Sequence, residues 1–191
     1  MKFDWLQADE LSTLFHLHLS GGDGNPLPDK DYETLKREVV DSGIRELDAT
    51  QWNYTNFGGP LFSRCTCLQF ADLHSQKLQI IDVEAFRGCR SLSWVCLPPN
   101  LVEIKDRAFK NCFALHLTKI PDTCEFIGED ALAGCWNIDE LSVPESCYVV
   151  GEEAPDKNYD CAYLNIGERY TDTSGVKKPV YIKLVYRKKE K

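Results

Sequence analysis

The sequence predicts an α/β solenoid whose stacked coils place a parallel sheet on a concave face. Three observations carry this. Ala85-Phe86-Arg87-Gly88-Cys89, Ala108-Phe109-Lys110-Asn111-Cys112 and Ala131-Leu132-Ala133-Gly134-Cys135 repeat one piece every 23 residues. The apolar positions between them keep the same step: Leu92, Leu115 and Ile138; Val95, Thr118 and Leu141; Ile104, Ile127 and Val150. Leu97, Ile120 and Val143 also recur, each with a proline behind it. Finally, Leu92 to Leu97 alternates as a strand does, sending Val95 and Leu97 inward and Trp94 and Cys96 outward. One such unit is too small to bury its own apolar face, so units must stack.

The core of the unit, Leu92-Ser93-Trp94-Val95-Cys96-Leu97-Pro98, has leucine-rich-repeat spacing, with one short strand per coil. The proline removes a ladder donor and ends the strand. The Ala-Phe-x-Gly/Asn-Cys piece is expected to make a tight helical turn on the opposite wall, with alanine fitting the close approach between coils. The whole pattern, I-x-x-x-A-F-x-G/N-C-x-x-L-x-x-I-x-L-P, resembles the BspA-like leucine-rich repeats of bacterial surface proteins over roughly Leu61 to Val150. The resemblance implies a non-catalytic, protein-binding module of a cell-surface or secreted protein engaged in adhesion or host interaction. The alternative is an intracellular scaffold or regulatory interaction module.

From the N-terminus, Trp5, Leu6, Leu11 and Leu14 share one helical face, which predicts an N-terminal helical cap over Met1–Leu14. Leu14–Leu19 repeats the strand spacing and is the first rung. Ser20–Pro28 is a loop by composition. Asp29 or Asp31 caps a helix running to about Ser42, with Tyr32, Leu35, Val39 and Val40 as its apolar stripe and Gly43 behind its end. Ile44–Ala49 is the second rung. Leu61-Phe62-Ser63-Arg64-Cys65 begins the first full unit, and Leu68–Leu73 is its strand. After Val150 the period stops. Cys161–Ile166 and Val180–Tyr186 read as a β hairpin covering the C-terminal end, where sheet edges need protection. The chain is read as a single domain: 1–60 holds the cap and atypical rungs, 61–150 the repeats, and 151–191 the β cap and basic tail.

Apolar and charged fractions are those of an ordinary folded domain. There is no run of eighteen apolar residues, so no membrane insertion is expected. The first ten residues are acidic and lack an apolar core, so they do not form a signal peptide; the protein is intracellular, or its signal lies elsewhere. The net charge is −8, but Lys177 to Lys191 carries seven basic residues against Glu190, so the body is more acidic still. An acidic body argues against nucleic acid as a partner. The nine cysteines mostly follow the period. Cys65, Cys89, Cys112 and Cys135 share one position, and Cys124 and Cys147 share another with Leu101, which predicts buried reduced thiols in ladders. Cys65-Thr66-Cys67 lacks the gap and the second pair that a metal site needs.

No cofactor or catalytic motif is present. His16 and His18 face one way near Asp48, with Glu46 or Asp72 in reach, but the set lacks a complete metal shell. Asn53-Tyr54-Thr55 is a sequon, meaningful only in a eukaryotic secretory setting. The sequence instead points to the outward strand positions. In the 23-residue register these are His16, Glu46, Phe70, Trp94, Leu117 and Glu140, then His18, Asp48, Asp72, Cys96, Lys119 and Ser142. Phe70, Trp94 and Leu117 form the expected apolar row of a protein-binding face, with Glu46, Asp72, Lys119 and Glu140 around it.

Overall fold

The computed structural model describes residues 6–7, 16–26, 32–33, 35–36, 39, 43–57, 59–153, 161–170 and 177–187. Its strands are β1 (Leu6–Gln7), β2 (His16–Gly21), β3 (Glu46–Trp52), β4 (Phe70–Asp72), β5 (Ile80–Ile81), β6 (Trp94–Cys96) and β7 (Glu103–Ile104). They continue with β8 (Phe126–Ile127), β9 (Glu140–Pro144), β10 (Tyr148–Val149), β11 (Glu152–Glu153), β12 (Cys161–Tyr170) and β13 (Lys177–Arg187).

Each coil contributes to three walls. On the first, β2, β3, β4 and β6 pair in parallel, with Glu46, Phe70 and Trp94 side by side. Single parallel bridges, Trp94 to His116 and Lys119 to Ser142, carry the wall on to β9. The second wall is the parallel sheet β5-β7-β8-β10. On the third wall the Ala-Phe pieces form three-residue turns rather than helix. Cys89 N–H donates to Phe86 O and Leu92 N–H to Cys89 O, both at 3.1 Å. Successive turns are bonded to one another: the N–H of Phe62, Phe86 and Phe109 donate to Ala85 O, Ala108 O and Ala131 O at 2.8–2.9 Å. The fold is therefore built mostly of strands and turns.

The Gly/Asn choice in the repeat has a backbone cause. Arg64, Gly88, Asn111 and Gly134 all sit in the left-handed region, with φ of 66°, 76°, 64° and 78°. Glycine adopts this without penalty, and asparagine with little. At Gly134 there is also no room: an added Cβ would lie 2.6 Å from Asn111 Oδ1. Gly134→Ala is expected to cost about 1–3 kcal/mol, read as a fall in the denaturant midpoint.

Two expectations need correction at the ends and in the middle. Leu6 and Gln7 are not helical; they form β1, which pairs antiparallel with β2. An edge strand leaves a row of unmade backbone bonds, and a strand satisfies them where a helix cannot. Trp5, Leu11 and Leu14 of the expected cap lie outside the described residues. The expected second helix fares differently: Tyr32, Glu33, Leu35, Lys36 and Val39 are helical, with Leu35 and Val39 buried. In the middle, the 23-residue register fails at one strand. Trp94 is bridged by His116, and Leu117 is buried at 6% exposure. Burying a leucine outweighs keeping the period, because the period would have put Thr118 in the core. Thr118 and Lys119 are both exposed, so the extra residue is taken up there and the register resumes at Ser142.

The inward positions Ile104, Phe109, Ile120 and Ile127 are fully buried and Val95 nearly so. Leu97 is half-buried, because β6 stops at Cys96 and the chain turns at Pro98. The third wall is backed by an aromatic column. Phe57 meets Phe62 edge-on at 5.3 Å; Phe62 stacks on Phe86 at 5.2 Å, and Phe86 on Phe109 at 5.4 Å. Beside it runs the cysteine ladder. Cys89, Cys112 and Cys135 are fully buried, and each Sγ donates to the phenylalanine carbonyl one coil back: Phe62 O, Phe86 O and Phe109 O at 3.1–3.2 Å. No disulfide joins Cys65, Cys67, Cys89, Cys96, Cys112, Cys124, Cys135 or Cys147.

At the far end β12 and β13 form the expected hairpin. β13 pairs in parallel with β9, Lys183 opposite Glu140, and extends the first wall by another strand. The hairpin also caps the third wall, since Gly134 N–H donates to Ile166 O at 2.8 Å, as Asn111 N–H donates to Ala133 O.

Candidate protein-binding face

The strands that position the face are short and alternate cleanly. In β4 and β6 the middle residues, Ala71 and Val95, are buried, while Phe70 and Trp94 point out. Their exposures are 37% and 56%, large values for such apolar groups. Parallel pairing sets Glu46, Phe70, Trp94 and His116 in one transverse row, about 4.8 Å apart from strand to strand. The Trp94 and His116 rings meet edge-to-face at 4.8 Å. His116 thus stands where the period had put Leu117. The signal for it was present: Leu115-His116-Leu117 alternates, and Thr118 was a poor core residue.

The next row holds His18, Asp48, Asp72 and Cys96. Here the acids are partly committed. Asp48 Oδ2 is 2.8 Å from His18 Nδ1, and its Oδ1 accepts from Thr50 N–H and Oγ1. Burial pushes the Asp48 carboxyl up, but these donors outweigh it and hold the pKa below the usual value. Asp72 Oδ1 accepts from His74 N–H at 3.0 Å. Glu140 pairs with Lys183 Nζ at 2.9 Å. Glu46 and Lys119 are exposed, and Lys119 lies beside Ser142. Among the described residues no group of three or more His, Cys, Asp or Glu side chains is arranged to hold a metal.

The hairpin leaves the aromatic row open, because it adds to the edge of the sheet instead of folding over it. It brings residues that the period could not have placed. Tyr163 and Tyr181 are exposed at 38% and 39%, and Tyr163 sits beside Lys183 in register with Glu140. Arg187 ties the hairpin to the preceding coils: it donates to Ser142 Oγ at 2.7 Å, to Ile120 O at 2.6 Å and to Asp122 Oδ1 at 2.5 Å. Part of the basic segment is therefore structural cement. The face as built carries an aromatic centre with Glu46 and Asp72 beside it and a mixed-charge margin at Lys119, Glu140 and Lys183. Such a surface can take up apolar side chains and orient charged ones.

The BspA type leucine-rich repeat region matches residues 53–174, in six copies. The chain belongs to this family. The match reaches past the periodic core on both sides, from Asn53, just behind β3, through β12. Among solved structures, this BspA-type chain is similar to the T. pallidum leucine-rich repeat protein, at 24% identity and a TM-score of 0.53. That likeness covers 56% of this chain and 52% of the T. pallidum chain, about half of each. A leucine-rich repeat protein from Bacteroides ovatus is also similar, at 24% identity and a TM-score of 0.48, over 52% of this chain and 25% of its own. The T. pallidum likeness bears on the fold alone. No curated protein matches the chain. Repeats of this type suggest a protein-interaction module. No helix among the described residues is long and apolar enough to cross a membrane.

Proposed function

We propose that the first wall of this BspA-type protein is a non-catalytic protein-docking face, with Trp94 as its anchor. One observation carries the reading: Trp94 stands 56% exposed in mid-sheet, between Phe70 and His116, on a face that no other described element covers. A tryptophan held on a rigid strand loses little entropy on binding, and central aromatic anchors carry most of an interface's affinity. Phe70, Glu46, Asp72, Lys119 and Glu140 complete the proposed site; Leu117 does not, being core. The partner presents an apolar side chain to the aromatic centre and a cationic group toward Glu46 and Asp72. The role fits a bacterial surface or secreted protein in adhesion or host interaction. The buried, unbridged cysteines favour a second reading, an intracellular scaffold, since disulfides accumulate in oxidising compartments.

The test compares wild type and Trp94→Ala as baits for the same partner pool, then measures affinity for the partner that emerges. The variant is expected to melt within about 2 °C of wild type, because the ring it removes is mostly in solvent, and to bind at least tenfold more weakly. Native affinity in a folded variant would refute the face.

A further inference from the structure

The two cysteine ladders differ in how their thiols point. Both are buried; in the first, Cys89, Cys112 and Cys135 each aim at a backbone carbonyl of the preceding coil, which holds neighbouring sulfurs in parallel and apart. In the other, Cys147 Sγ aims at Cys124 Sγ, 4.0 Å away, while Cys124 Sγ faces the Phe126 carbonyl of its own coil at 3.6 Å. Both sit at the ends of equivalent turns: Cys124 N–H donates to Pro121 O at 3.1 Å and Cys147 N–H to Pro144 O at 3.0 Å. The same turn one coil earlier ends in Leu101, whose N–H donates to Pro98 O. The repeat thus stacks two thiols at a position that elsewhere holds leucine. The following strands do not keep the same step. Tyr148 pairs with Phe126, not with Glu125, so the last coil is one residue shorter between its cysteine and its strand. That slip breaks the strict translation that would keep the two side chains parallel.

We propose that Cys124 and Cys147 are a modification site: a dithiol that closes to a disulfide between adjacent coils when a peroxide is the oxidant. A sulfur separation of 4.0 Å exceeds the S–S bond length of about 2.05 Å by an amount that side-chain rotation can close, and adjacent coils lie within the usual Cα spacing of a bridge. Cys124 is the attacking sulfur. The Cys147 thiol donates to it, which lowers its pKa despite burial. Its thiolate attacks hydrogen peroxide, the O–O bond breaks, and hydroxide leaves and takes a proton, giving a sulfenic acid and water. The Cys147 sulfur then displaces the sulfenic oxygen as a second water, forming the S–S bond. Two thiols and one peroxide become one disulfide and two waters. The bridge ties the last two coils beneath the hairpin, so it acts on stability at that end and not on the Trp94 row.

Fully reduced protein is treated with hydrogen peroxide, its remaining thiols are alkylated, and it is cut with a glutamate-specific protease. Trypsin would not serve, since no Lys or Arg lies between Lys119 and Lys157, whereas Glu125 separates Cys124 from Cys147. A cross-linked peptide two mass units lighter than its reduced pair, reversed by dithiothreitol, is expected. So is a rise in melting temperature of about 5 °C that Cys147→Ala abolishes. Recovery of Cys124 and Cys147 as alkylated thiols under conditions that oxidise the exposed Cys67 and Cys96 would overturn the proposal. So would a cross-link of either cysteine to a different partner.

Discussion

Phe86→Ala is expected to destabilise the protein by about 3–5 kcal/mol, the range for truncating a buried aromatic. Phe86 is fully buried and lies between Phe62 and Phe109, stacked on both within 5.2–5.4 Å, with Phe57 edge-on at 6.1 Å. Its removal opens a gap in the middle of a column, and the coils above and below cannot close it. They are held at fixed spacing by the Phe62 N–H to Ala85 O and Phe86 N–H to Ala108 O bonds. A site that cannot collapse falls at the high end of the cavity cost. Phe113→Ala is the control, because that ring is 37% exposed at a corner of the coil and should cost much less. Urea unfolding of both variants is the measurement. Equal losses would mean that the column does not bear the stability assigned to it.

The second large effect is alkaline. Burial pushes the Cys135 thiol up to about 12 and raises Cys89 and Cys112 well above the usual thiol value. In the unfolded chain these thiols ionise at about 8.5. Above that pH the unfolded state has shed protons that the folded state still holds, so stability falls as pH rises. It is fully present below about pH 8.5 and is lost progressively toward pH 12, by about 1.4 kcal/mol per pH unit for Cys135 alone. Denaturant midpoints at pH 8, 9, 10 and 11 give the slope. Cys135→Ala should flatten it by one thiol's share, which separates the effect from titrating lysines and tyrosines. A slope identical in the variant would count against the ladder as its source.

The walls of the coil were legible because their causes are periodic. A 23-residue step fixes which residues stack, and the stacked identities then report burial, as with Phe86 over Phe109 and Cys112 over Cys135. The helical reading of the Ala-Phe piece failed because the turn closes over only three residues, too short to show a 3.6-residue pattern. Leu6 and Gln7 failed for a different reason: an edge strand is chosen by the sheet it completes, not by its own apolar spacing. The face was half legible. Phe70 and Trp94 follow from alternation within a single strand. Leu117 was placed by period alone, and a one-residue slip inverted it, as any odd shift in a strand must. Tyr163 and Lys183 could not be read at all, since the hairpin joins the sheet through tertiary pairing that leaves no trace in the repeat.

The two ends of the first wall share a property that bears on self-association. β1 joins β2 antiparallel at one margin; at the other, β12 joins β13 antiparallel and β11 joins β12 antiparallel, so the outermost described strand there is the two-residue Glu152–Glu153. A second copy offering a coil at β1 would meet a strand of the opposite sense, and at the far margin it would meet a two-residue strand of two glutamates, too short and too charged to template pairing. The hairpin also occupies, through Ile166 O, the acceptor position that the next coil's turn would supply to Gly134. End-to-end polymerisation, the natural hazard of a module that already stacks on copies of itself, is thereby blocked on two walls at once.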